Sequence, residues 1–166
     1  SDDDGSFSIP VATVIDDNTR LFVAALWAPS TTSAPVFAVL KPEDGAEIAN
    51  VNAPVWAWQF EVPVSGDFGE ITITKAQGSG ALYLYLVTLS AMREVASDML
   101  YGDETLLKSL AVLWAPDAYW SCGCCFASSL AQDVQGMDGQ MEQSIFISGS
   151  AVGSSAWSWA VNLHEL

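Results

Sequence analysis

Apolar and polar positions alternate through much of the first half of the chain, which is the period of a half-buried strand. Phe7, Ile9, Val11, Thr13 and Ile15 fall on one face, with Ser8, Ala12 and Val14 opposite. The polar run Asp16-Asp17-Asn18-Thr19 then predicts a turn into a second strand, Leu21–Trp27, and so an opening hairpin. Pro29 ends that strand, and residues 30–33 read as a loop. Val36–Leu40 is a short apolar run halted by Lys41-Pro42-Glu43-Asp44-Gly45, a strong turn signal. Val55–Val62 alternates again and places Trp56, Trp58 and Phe60 on one side. In residues 70–75, Ile71 and Ile73 oppose Thr72 and Thr74, the cleanest alternation in the chain. After a Gly-rich turn at 77–80, the run Ala81–Leu89 (ALYLYLVTL) is apolar on both faces, the pattern of a covered central strand.

The period then changes. Met92, Val95, Ala96, Met99 and Leu100 recur at helical spacing, with Ser90 placed to cap the start and Tyr101-Gly102 to close the end. Asp103 is placed to cap a second helix carrying Leu106, Leu107, Leu110 and Ala111, although a strand over 106–114 competes with it. Strand character returns in residues 143–148 and 155–163, where Trp157 and Trp159 share a face. The expected fold is mainly β: a two-layer β-sandwich or jelly-roll-like domain with one or two short helices inserted around residues 90–114. Residues 1–6 form an acidic N-terminal arm, and 7–166 a single β-rich domain. Two short echoes, residues 25–29 with 112–116 and Trp56-Ala57-Trp58 with Trp157-Ser158-Trp159, differ in spacing and make no repeat period.

Composition sharpens this picture. Charged residues make up 15% of the chain, against about 25% in an ordinary globular protein. Apolar residues make up 51%, so few side chains are left to keep the surface wet. Either the core is large, or some apolar surface is buried against neighbouring molecules, and the second is expected because a small domain runs out of interior. Twenty acidic residues face five basic ones (Arg20, Lys41, Lys75, Arg93 and Lys108), for a formal charge of −15. Nucleic acids and anionic membranes would repel such a chain. No apolar run reaches the ~20 residues needed to cross a bilayer, and the N-terminal Ser-Asp-Asp-Asp-Gly has no signal-peptide character.

Candidate chemistry is sparse. The single histidine, His164, stands two residues from the C-terminal residue and is poorly placed to serve a catalytic triad. No nucleophile elbow, phosphate loop or dinucleotide fingerprint occurs, so no catalytic residue and no cofactor are expected. Cys122, Cys124 and Cys125 share one tetrapeptide without the separated second pair that zinc requires, and read as small hydrophobes in a tight turn. Residues 133–142 offer oxygens around glycines but not in EF-hand order, so no metal site is expected. The remaining candidates are Trp56, Trp58, Trp157 and Trp159, as core fillers, subunit contacts or a stacking platform for sugars. The sequence therefore predicts a non-enzymatic structural component of a larger assembly, such as a capsid-decoration or tail protein. Its partners would be copies of itself and other structural proteins, in a virion or outside the cell. The alternative is an extracellular carbohydrate-binding or adhesion module that holds glycan on its Trp-x-Trp faces.

Overall fold

The computed structural model describes residues 8, 15–28, 36–43, 53–122, 124–127, 132–133, 140–141 and 143–149. The acidic arm, most of the 7–15 strand and residues 155–163 lie outside them. The chain divides into two compact units, one of residues 1–23 and 58–72, the other of residues 24–57 and 73–166.

In the smaller unit, β1 (Arg20–Ala24) pairs with β4 (Ala57–Glu61). The predicted turn ahead of β1 is present. Asp16 Oδ1 accepts the Asn18 amide at 3.0 Å, and the Asp16 carbonyl accepts the Thr19 amide at 3.0 Å. Such an Asx turn closes on its own side chain and needs no tertiary support. The predicted strand over Leu21–Trp27 is broken at Ala25, so that Leu26–Trp27 forms a separate short strand, β2.

The larger unit holds a five-stranded sheet in the order β2-β3-β5-β9-β6. Its centre is parallel. β3 (Phe37–Leu40) pairs with β5 (Leu110–Leu113), and β5 with β9 (Gln143–Ile147), in the register Val39↔Val112↔Ile145. β2 and β6 (Cys124–Ala127) flank it antiparallel. A further two-stranded ladder joins β7 (Gln132–Asp133) to β8 (Gln140–Met141). The molecule is thus mainly β with one main helix, as the alternation predicts.

That helix, α1 (Ser79–Met99), supplies the long connection that parallel β3 and β5 require. It begins well before the predicted Met92 start. Ala81–Leu89, expected as a central strand, forms its first half, and Ser90, the expected cap, lies exposed mid-helix. The buried positions Ala81, Leu84, Thr88, Leu89, Met92 and Ala96 recur at three- and four-residue steps. The apolar residues between them had masked that period. The predicted close is present: the Leu100 and Gly102 amides both donate to the Ala96 carbonyl, at 3.1 and 2.9 Å, and Gly102 takes φ 81°.

Two further expectations are corrected. Asp103 does cap, accepting the Thr105 amide at 3.0 Å, but only one 3-10 turn follows, Glu104–Leu106. Residues 110–113 then enter the sheet as β5, the competing strand reading. All four are buried, and a strand covered on both faces shows no alternation by which to recognise it. Residues 70–74 keep their alternating burial but belong to no strand, since alternation reports a half-buried face and not a hydrogen-bonding partner.

Register places Phe37, Val39, Leu110, Val112 and Ile145 on one face of the sheet. There Phe37 stacks on Tyr85 of α1, with centroids 5.4 Å apart. Ala38, Leu40, Ala111, Leu113 and Phe146 pack on the other face with Ala53, Trp120 and Met141. Both faces are therefore covered.

Candidate functional site

Trp56 and Trp58 do fall on one side of their segment, as the alternation requires, and both are buried, at 7% and 9% exposure. Trp56 stands just ahead of β4. Its Nε1–H donates to the Trp114 carbonyl at 2.7 Å, and the two rings lie 5.7 Å apart at 38°. The Lys41 ammonium sits 4.9 Å from the Trp56 ring centroid, a cation–π distance. Two glycines admit these rings. A Cβ on Gly78 would stand 2.3 Å from Trp56, and one on Gly80 would stand 2.4 Å from Trp114. Trp157 and Trp159 lie outside the described residues.

The sequence reading passed over Trp114 and Trp120. Trp114, just beyond β5, is buried with no acceptor for its Nε1–H among the described residues. Trp120 packs edge-on against Phe146 at 5.0 Å and donates from Nε1 to the Ile147 carbonyl at 3.2 Å. The five-residue echo marks no structural repeat. Its first copy enters antiparallel β2 and its second enters parallel β5, on opposite sides of β3.

Among the described residues, no three side chains of His, Cys, Asp or Glu converge as a metal-binding group. No described helix is long and apolar enough to cross a membrane. His164 and most of residues 133–142 lie outside the described set.

Apolar side chains do collect on the outside of the larger unit, around the C-terminal turn of α1. Val95 and Met99, one helical turn apart, are 42% and 73% exposed. Tyr101 follows the helix fully exposed, and Leu106 of the adjoining 3-10 turn is 60% exposed. Beside them a cavity of about 100 Å³ is lined by Ala91, Met92, Val95, Leu107 and Leu110, with Lys108 and Gln143 as its polar members. Small-molecule sites usually enclose about 300–1,000 Å³. This notch is smaller than that and has room for one apolar side chain. Glu94, Asp98 and Asp103, all exposed, set acidic groups along the same turn.

The cysteine cluster is not a set of buried hydrophobes. Cys122, exposed in a turn, is disulfide-bonded to Cys125 of β6, with Cα atoms 5.9 Å apart. Spacing three residues apart across a turn delivers that separation, which lies within the ordinary disulfide range.

Compared with known proteins, the chain matches no family model, no curated protein and no solved structure.

Proposed function

We propose that this chain is a non-enzymatic structural component of a larger assembly, a capsid-decoration or tail protein, acting through contacts with copies of itself and with other structural proteins. The observation that carries the reading is the apolar surface at the end of α1. Val95, Met99, Tyr101 and Leu106 stand exposed beside a notch sized for a side chain. A chain with only 15% charged residues has little else with which to wet that surface. Burying it against another subunit removes the cost, since contiguous exposed apolar surface marks interaction sites. The location that goes with this reading is a virion or the extracellular space.

Binding of glycan on Trp-x-Trp faces would need exposed rings. Trp56 and Trp58 are buried, and Trp56 is held by Trp114 and Lys41. That alternative draws no support from these two positions.

Sedimentation velocity on the full chain at micromolar concentration tests the proposal. Discrete oligomers support it. A species that stays monomeric and fully soluble across the series counts against it.

A further inference from the structure

We infer that Cys122 and Cys125 form a reversible thiol–disulfide exchange site, open to small thiols of the glutathione class at Cys122. This inference is independent of the assembly reading.

Three observations support it. The bond joins residues only three apart, and the shortest loops gain least from a cross-link, so it is a poor staple for the fold. The segments at both its ends are held without it. Before the turn, Trp120 is buried, its amide donates to Ser148 Oγ at 3.0 Å, and its ring is fixed on Phe146. After the turn, β6 is laddered to β9 in the register Cys125↔Phe146 and Phe126↔Ile145. Finally, the two sulfurs differ in access. Cys122 lies in an exposed turn, while Cys125 is half-buried and packs against the core with Ala127. Exchange requires approach of a thiolate to one sulfur and departure of the other. Here the approach is open at the first cysteine, and the leaving thiol stays held by the sheet.

The reaction balances with two equivalents of external thiol. One thiolate attacks Cys122 Sγ and forms a mixed disulfide. The Sγ–Sγ bond breaks, and its electron pair leaves with Cys125, which takes up a proton. A second external thiolate attacks the outer sulfur of the mixed disulfide, forming the external disulfide and freeing the Cys122 thiolate, which is protonated in turn. The protein gains two electrons and two protons, and two thiols are oxidised to one disulfide. Oxidised glutathione reverses the sequence.

The test uses the full chain, purified oxidised, incubated with reduced glutathione in native buffer and quenched with N-ethylmaleimide for intact-mass measurement. The expected result is two newly alkylated cysteines with the near-UV circular dichroism retained, and reversal on adding oxidised glutathione. Two single-cysteine proteins then test the asymmetry. Cys124→Ser with Cys125→Ser leaves Cys122, which on incubation with oxidised glutathione should form the mixed disulfide, releasing one reduced glutathione, at least about tenfold faster than the Cys125 left by Cys122→Ser with Cys124→Ser. The inference is overturned if the bond yields only under denaturant, if reduction abolishes the near-UV signal, or if both lone cysteines react alike. The wild-type measurement decides by itself should a variant fail to fold.

Discussion

At the scale of single residues, the pair Trp56–Trp114 organises the helix start. The Trp56 Nε1–H bond to the Trp114 carbonyl is buried, so losing the donor strands an acceptor away from water. Trp56→Phe should cost about 1–3 kcal/mol in urea unfolding. Gly80 gives a sharper test, because its sign is diagnostic. In an unobstructed helix Gly→Ala stabilises by about 0.4–1 kcal/mol. Here the added Cβ would stand 2.4 Å from the buried Trp114 ring, so Gly80→Ala should destabilise by about 1–3 kcal/mol. A stabilised Gly80→Ala would mean that the ring is not where the structure places it.

Tyr85 makes a prediction in pH. Burial against Phe37 pushes its phenol above the ordinary value near 10, and the Arg93 charge only partly opposes this. The neutral phenol is thus favoured in the fold. Its contribution is fully present below pH 10 and is lost as pH rises from the unfolded value through the raised folded one. Tyr85→Phe should flatten the alkaline fall in stability above pH 10. An unchanged alkaline limb would remove Tyr85 from the explanation.

At the scale of elements, what was legible in the sequence depended on whether one face of each segment was polar. Trp56, Trp58 and Phe60 alternate with exposed neighbours, and β4 forms within the expected segment Val55–Val62. The apolar run of β3, halted by a turn signal, was read correctly, and so was the strand character of residues 143–148, where β9 forms. The second half of α1 was legible because Arg93, Glu94, Ser97 and Asp98 mark its outer side. Its first half was not. Leu82, Leu84 and Leu86 fit a strand face as readily as a helix, and Leu86 is apolar although 61% exposed. β5 failed the opposite way, since Leu106, Leu107, Leu110 and Ala111 imitate helical spacing while every residue of the strand Leu110–Leu113 is buried and shows no alternation. The Cys122–Cys125 link was hidden because its adjacent cysteines invite comparison with distant staples. The i, i+3 spacing was the available signal.

Leu84 and Leu86 turn this ambiguity into an experiment. In a strand they share a face and would respond alike to truncation. In α1 they lie on different sides, Leu84 fully buried and Leu86 largely exposed. Leu84→Ala should cost about 2–5 kcal/mol. Leu86→Ala should change stability by no more than about 0.5 kcal/mol. Equal losses would return residues 81–89 to a strand.

At the scale of the whole molecule, a charge of −15 and an apolar surface pull association in opposite directions. Like charge keeps copies apart over the Debye length, while burial of Met99, Tyr101 and Leu106 draws them together. Salt weakens only the first. Raising ionic strength from about 0.1 M to about 1 M shortens the Debye length from about 10 Å to about 3 Å. Self-association should therefore strengthen with salt, which sedimentation at the two conditions will read. Weakening would mean that ion pairs, and not apolar contacts, hold the copies together.

The most direct measurement is multi-angle light scattering of the full chain over a concentration series, beside Met99→Glu with Leu106→Glu. Wild type should reach masses that are multiples of 17.7 kDa, while the double variant stays at the monomer value. A wild type fixed at 17.7 kDa at every concentration and salt, or a variant that assembles equally well, would contradict assembly through the end of α1.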